Sequence, residues 1–276
     1  MNFKCSKETD LKSFVALNAG ISKGTAKKVI DGRNVLVNSK RVWIASHVLK
    51  PGDRVEIPET AAVSGRVKTE RAKVVYEDKY IIAADKPAGI TADGGAGSLE
   101  EILKKNMGNN RIKAIHRLDK ETTGVVLFAK TPDVFEKYKK LWEEKGVTKI
   151  YYAVCLKEAL FKEITLKAPV DGKSAVSYVK RTARGNGFTL FRVRIETGRK
   201  HQIRIHLASQ HHPVAGDKEY GPEVLTVPAL KEVVRHLLHA YELSFTCPFT
   251  GKQAVIRAEI APDMAEFIKK LGLKTT

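Results

Sequence analysis

One decapeptide gathers the densest chemistry of this chain: Ile115-His116-Arg117-Leu118-Asp119-Lys120-Glu121-Thr122-Thr123-Gly124. An apolar run, Val125 to Phe128, follows at once. It reads as a buried strand, with Gly124 as the turn that enters it. Asp119 is thus predicted at the mouth of a sheet, on a loop held by a rigid element, where catalytic side chains are commonly placed. His116 and Arg117 crowd it with donors that keep the carboxylate ionised and oriented. Taken alone, the same residues fit a structural role equally well, with Arg117 and Asp119 pinning a turn.

A second dense stretch is Thr197-Gly198-Arg199-Lys200-His201-Gln202-Ile203-Arg204-Ile205-His206-Leu207-Ala208. It reads as a turn followed by a helix that buries Ile203 and Leu207. Between the two, Thr148 to Cys155 alternates as a strand does. Lys149, Tyr151 and Ala153 fall on one face, and Ile150, Tyr152 and Val154 on the other. His201, His206, His211 and His212 raise the question of a metal. They lack the H-E-x-x-H order, and their spacing does not put two ligands on one helical face, so no metal site is expected. Gly94-Gly95-Ala96-Gly97 matches neither the P-loop nor the dinucleotide-binding order, which sets both aside.

The chain has 276 residues, with 49 Lys and Arg against 31 Asp and Glu, a net charge of +18. Its pI is ≈ 9.7. An excess so large and evenly spread points to a polyanionic partner, nucleic acid before an acidic membrane surface. Cys5, Cys155 and Cys247 are far apart and odd in number. They imply neither a disulfide framework nor a zinc knuckle, and they suit a reducing cytosol. The N-terminus has no apolar signal core, and no run approaches membrane-spanning length. A soluble cytoplasmic protein working as a monomer, with no membrane partner, is expected.

These residues need elements to position them. Residues 1–57 read as a small unit. Leu11, Phe14, Val15 and Leu17 have helical spacing, and Ser22 caps a second helix ending at Asp31-Gly32. Val35-Leu36-Val37 and Arg41-Val42-Trp43-Ile44 form a hairpin, and Pro51-Gly52-Asp53 turns into a last strand, Arg54 to Ile57. Lys23, Lys27 and Lys28 fall on one side of the second helix, either a phosphate cradle or a solvated face. Residues 58–71 lack periodicity and read as a linker. Residues 72–276 form a larger domain of strands in hairpins with a few helices. Its helices are Leu99 to Lys105 behind the cap Ser98, Pro132 to Trp142 ended by Gly146, and Asp263 to Leu271. The fold class is α+β with a mixed, largely antiparallel central sheet.

The Ser-Lys-Gly-Thr-Ala-Lys-Lys run at 22–28, the Val-Leu-Val-Asn hairpin and the Pro-Gly-Asp turn resemble the RNA-binding module named for ribosomal protein S-four. In the larger domain, five stretches occur in the order of one family. They are Asp85-Lys86-Pro87-Ala88-Gly89, His116-Arg117-Leu118-Asp119 with Thr122-Thr123-Gly124, Lys149-x-Tyr151, Gly198-Arg199-x-His201-Gln202-Ile203-Arg204-x-His206, and Gly216-Asp217 with Leu238-His239-Ala240. Residues 72–276 resemble the RluA family of RNA pseudouridine synthases. Thr123, Lys200 and Cys247 depart from the family's usual residues, none at a position assigned to chemistry.

The resemblance implies isomerisation of a uridine within RNA, ribosomal RNA before transfer RNA, with no cofactor. It implies Asp119 as the catalytic carboxylate, either a nucleophile at the anomeric carbon or a base at the adjacent one. Arg204 is its implied ionic partner. Tyr151 is expected to pack on the flipped uracil and to be the candidate that takes the proton from the new carbon junction. Arg117 is expected at the base or in the gap it leaves. His116, Lys149, Arg199, His201 and Gln202 are expected to bind substrate, and Lys23, Lys27 and Lys28 to bind RNA. Two other readings use the same residues: a binding-only ribosome-assembly factor, and a metal-dependent nuclease built on Asp119 and the histidines.

Overall fold

The computed structural model describes the chain except residues 22, 33, 34, 58–70, 222–227, 231, 232 and 274–276, and the side chains of Lys28 and Pro228. The Ser22 cap, the Lys28 side chain and nearly all of the expected linker therefore lie outside the described residues. By its contacts the chain divides into two compact units: 1–67 with 222–234, and 68–221 with 235–276.

In the first unit, helix α1 (Leu11–Asn18) starts where Asp10 accepts a hydrogen bond from the Ser13 amide at 2.9 Å. That bond satisfies a donor with no partner inside the helix. Leu11, Phe14 and Val15 are buried, but Leu17 is 80% exposed. At about 100° per residue it lies roughly 110° from the centre of their face, outside the apolar stripe. Helix α2 (Lys23–Asp31) buries Ala26, Val29 and Ile30. Strands β1 (Asn2–Lys4), β3 (Val35–Val37), β4 (Lys40–Val42) and β6 (Arg54–Glu56) form a sheet in the order β1-β6-β3-β4. A separate pair joins β2 (Thr9–Asp10) to β5 (Val48–Leu49). Asn38 and Ser39, at φ 51 and 65, make the tight β3–β4 turn. Such positive angles match the twist of a two-residue hairpin loop. Trp43 and Ile44 lie beyond the end of β4 and are exposed, where the hydrophobic pattern suggests that the strand continues.

The second unit is built on one ten-stranded sheet. Its strands are β7 (Lys73–Glu77), β8 (Ile81–Lys86), β9 (Lys113–Ala114), β10 (Thr123–Ala129), β11 (Val147–Leu156), β12 (Glu163–Leu166), β13 (Ser177–Gly185), β14 (Phe188–Ile195), β15 (Leu238–Thr246) and β16 (Gln253–Arg257). The order is β12-β13-β14-β11-β15-β10-β8-β7, with β9 on β10 and β16 on β15. Among the described pairings only β10–β15 is parallel, so the sheet is mixed and largely antiparallel. Helices α3 (Leu99–Met107) and α5 (Gln202–Ser209) bury Leu99, Leu103, Ile203 and Leu207 in one core cluster. Helix α4 (Pro132–Glu143) buries Val134 and Tyr138 in another. Helix α6 (Pro262–Lys270) is the last helix among the described residues. Lys145, not Gly146, takes the left-handed position after α4, at φ 58. Gly146 is needed for space: a Cβ there would lie 2.4 Å from the Leu141 side chain.

Gly124 is not a turn. It lies inside β10 at φ 113, in parallel register with Ala240. A Cβ on it would stand 2.1 Å from the Ala240 carbonyl oxygen. Only glycine permits both this angle and this approach. Gly124→Ala is expected to destabilise the protein by roughly 3 kcal/mol or more, read as a fall in denaturant midpoint.

Candidate active site

The loop between β9 and β10 is fixed before Asp119 is reached. The Thr122 amide donates to the Asp119 carbonyl at 3.0 Å, closing a turn. Thr122 Oγ1 pairs with His236 Nε2 at 2.7 Å, and Thr123 Oγ1 with His239 Nδ1 at 2.8 Å. Burial lowers these imidazoles to about 3 and about 4, so both are neutral at physiological pH. From the end of β8, fully buried Lys86 donates to the carbonyls of Pro87, Ile90 and Lys120 at 2.9, 2.9 and 3.0 Å. The Asp85-Lys86-Pro87 stretch thereby ties one edge of the site to the backbone beside Asp119.

Burial lowers Lys86 to about 7. Below that pH the folded and unfolded chains both hold the proton, and the cost of burying charge is fully present. Between about 7 and the ordinary lysine value near 10.4, only the unfolded chain still binds it, so this group's contribution to stability rises with pH. The stability of the wild type relative to Lys86→Met should therefore increase from pH 7 to pH 10. Denaturant melts across that range check the slope.

Arg204 stands in the first turn of α5 with its side chain 6% exposed. Its Nη1 lies 3.5 Å from Asp119 Oδ2. Its chief partner is Asp217, which it holds at two points, Nε to Oδ2 at 2.6 Å and Nη2 to Oδ1 at 2.8 Å. The Asp119 contact is the one expected from the sequence, and the structure adds Asp217 as a second, closer partner. The Asp217 carboxyl is fully buried and also accepts from the Glu219 and Tyr220 amides. These bonds and the guanidinium outweigh burial and hold it below the usual carboxylate range.

His201 precedes α5 in the left-handed region, at φ 56. Its Nε2 is 3.7 Å from Asp119 Oδ1, and its Nδ1 is 2.9 Å from the Tyr220 hydroxyl. Tyr151 comes from β11. Burial first, and the Asp119 charge second, push its phenol above the usual tyrosine range. It therefore rests protonated.

Arg117, Asp119, Tyr151, Arg199, His201 and Gln202 line one cleft, with Leu118, Thr122, Ile195, Gly198, Ile203 and Leu238 between them. Arg204 lies outside this lining and reaches Asp119 at 3.5 Å. Gln202 has little left for a substrate. Its carbonyl accepts from Thr197 Oγ1 and the Arg199 amide, and its amide donates to Val176 O and Ser177 Oγ. It straps the turn that presents His201.

Two of the expected binding residues are not in the cleft lining. His116 stacks on Trp142, ring centroids 4.2 Å apart, and its Nε2 accepts from the Leu127 amide at 3.1 Å. Burial lowers it to about 3, so it is a neutral acceptor that pins the loop to β10. Lys149 is buried, donates to Glu196 O at 3.1 Å, and lies 5.4 Å from the Trp142 ring. On α2, Lys23 and Lys27 are exposed, and Lys27 pairs with Asp31 at 3.4 Å. The histidines scatter: His206 bonds Ser177 and Ala168 O, and His212 bonds Leu156 O. Among the described residues no group of three His, Cys, Asp or Glu is placed to hold a metal ion.

Sequence reasoning left Glu219, Tyr220, Thr122 and His236 without roles and Asp217 as an unassigned motif residue. No local period links them to Arg204. The Gly216-Asp217 stretch was the one available signal.

Residues 80–209 match the family described as RNA pseudouridylate synthase, and residues 11–55 match the S4 domain. A protein of Bacillus subtilis (strain 168) named "Uncharacterized RNA pseudouridine synthase YlyB" is 31% identical over 270 residues, covering 88% of this chain and 87% of its own. This chain belongs to the RluA family of RNA pseudouridine synthases. The Pseudomonas aeruginosa protein named ribosomal large subunit pseudouridine synthase D is 30% identical to this synthase, over 78% of this chain and 79% of its own. The solved structure of human RNA pseudouridylate synthase domain containing 4 shares its fold, with a TM-score of 0.63 at 22% identity over 73% of this chain and 94% of that one. The synthase is thus an isomerase acting on RNA, with an S4 domain at its N-terminal end. No helix among the described residues is long and apolar enough to cross a membrane.

Proposed function

We propose that this synthase converts specific uridines of large-subunit ribosomal RNA to pseudouridine in the cytoplasm, with Asp119 as the catalytic carboxylate. The observation that carries the chemistry is the Asp119 carboxylate, 3.5 Å from buried Arg204, sharing one cleft with Tyr151. The ribosomal target draws on relatives named ribosomal large subunit pseudouridine synthase D and on the S4 domain.

The target nucleotide leaves its stack, because a glycosidic bond within a paired helix is out of reach. Asp119 meets the ribose, as nucleophile at C1′ or as base at C2′, and the N1–C1′ bond breaks with its electron pair on the uracil. The detached ring turns over against Tyr151 and rejoins through C5. The C5 proton departs and N1 gains one, so atoms and charge balance without an outside redox partner. Tyr151 begins protonated and can take the C5 proton only after passing its own to a neighbour; Asp119, whose charge reaches the phenol, can accept it once the new C–C bond has returned it to the free carboxylate. Arg204 aims the carboxylate through a charge-assisted contact. Arg117, Arg199 and His201 hold the nucleotide at the mouth of the cleft. Lys23 and Lys27 of the N-terminal unit add backbone affinity rather than chemistry.

The test is tritium release from RNA labelled at uracil C5, comparing large-subunit ribosomal RNA with bulk transfer RNA. Release from the ribosomal RNA alone is the expected result. Release from transfer RNA alone would move the target, and release from neither would favour the binding-only factor.

A further inference from the structure

We propose that the reverse face of the catalytic sheet, across β12, β13, β14 and β11, is a second RNA-binding surface that takes an unpaired stretch of the same RNA whose uridine enters the cleft. The inference rests on RNA being the substrate, and not on the ribosomal target.

Strand alternation separates the two faces. Tyr151 and Ile195 line the cleft, so Tyr152 and Arg194, one residue away on the same strands, face the other way. The pairing register sets two rows across the four strands. One is Thr165, Tyr178, Arg194 and Ile150; the other is Glu163, Lys180, Arg192 and Tyr152. A groove of about 420 Å3 lies over the β12, β13 and β14 part of these rows, lined among others by Tyr178, Lys180, Arg192 and Arg194.

Cations prevail on this face. Arg194 stacks over the Tyr178 ring at 3.9 Å. Arg192 forms no ion pair among the described residues, and the Lys180–Glu163 pair is exposed on both sides. Glu196, which accepts from the Tyr178 hydroxyl, has Arg194, Lys145 and Lys167 as cationic neighbours. With Glu242, which neighbours Tyr152 and pairs with Arg257, six basic side chains stand against three carboxylates. Tyr152 meets Tyr241 edge-on at 5.1 Å, which adds a second aromatic group.

The occupant follows from this chemistry. A sheet face with tyrosines and guanidinium planes between cations offers bases a stacking platform and phosphates a neutralising track. A paired helix hides its base faces and would use only the charges. The exposed rings and guanidinium planes favour an unpaired strand, while the positive charge suits any RNA backbone.

The test uses the full chain and a single-stranded oligouridylate of about 12 nucleotides, with a duplex of equal length as comparison. With 5-iodouridine in the single strand, light-induced crosslinks on wild type are expected in the peptide containing Tyr178, which carries no residue of the cleft. The triple variant Lys180→Ala, Arg192→Ala, Arg194→Ala is expected to bind the single strand roughly tenfold more weakly at 0.1 M salt, with a log–log salt slope shallower by about two. Its kcat on saturating ribosomal RNA should match wild type, which separates this face from the catalytic cleft. Crosslinks confined to the Arg117–Asp119 and Tyr151 peptides, an unchanged salt slope, or equal losses for duplex and single strand would overturn the proposal. The crosslink on wild type decides the matter even if the triple variant folds poorly. Absence of turnover by wild type would count against the proposed target without touching the binding result.

Discussion

Asp119→Asn is expected to lose tritium release by roughly 10,000-fold or more while binding RNA within about threefold of wild type. The amide is nearly isosteric with the carboxylate and keeps its place 3.5 Å from Arg204 and 3.7 Å from His201. It can neither attack a sugar carbon nor accept a proton from it. The loop around it is held by Thr122, Lys86 and His236 through bonds that do not use the Asp119 side chain. The substitution should therefore leave the fold intact, and single-turnover assays beside a binding isotherm separate chemistry from affinity. Comparable turnover by variant and wild type would sink the assignment of Asp119.

Asp217→Asn is expected to destabilise the protein by about 3–5 kcal/mol and to lower activity as well. The Asp217 carboxyl is fully buried and meets Arg204 at 2.6 and 2.8 Å. Without its charge the guanidinium stays buried, facing Asp119 and Glu219 at 3.5 and 3.3 Å. Arg204 then loses the anchor that aims it. The pH dependence gives an independent check. Because the folded state holds Asp217 below its ordinary value, its contribution is complete above the unfolded carboxylate range and disappears as pH falls through the folded pKa. Acid should accordingly narrow the stability gap between Asp217→Asn and wild type. A constant gap from pH 7 down to pH 3 would contradict the buried pair.

Glu219 sits 3.3 Å from Arg204 and 3.4 Å from His201 with its side chain 45% exposed. A half-exposed carboxylate there is screened by solvent and is a weaker lever than Asp217. That contrast explains why two acidic residues separated by one position warrant different expectations.

The central residues were legible because they lie in short stretches whose meaning is local. The turn and strand around Asp119, the alternation that faces Tyr151 inward, and the helix that buries Ile203 beside Arg204 all follow from neighbours a few residues away. The points where structure and sequence pattern part share a physical cause. Gly124 resembles a turn glycine until the sheet brings the Ala240 carbonyl against it. His116 and Lys149 sit among site residues in sequence, yet Trp142, distant in sequence from His116, draws the imidazole into packing and stands near the Lys149 ammonium. Leu17 and Trp43 are apolar but fall outside the buried stripe and strand that would have used them.

The sequence by itself determined the α+β class, the order of elements and the basic character, because charge is read directly and helical and strand periods and turn residues act over short range; the acid–guanidinium–phenol set was implied by the resemblance to the family. Only the tertiary structure decided which carboxylate holds Arg204, which histidines are buried neutral props, and which face of the sheet is left with its tyrosines and arginines uncovered. Those outcomes depend on strand order and on the parallel β10–β15 crossing. They bring together residues more than a hundred positions apart, such as Thr122 and His236, and no local pattern encodes such a meeting.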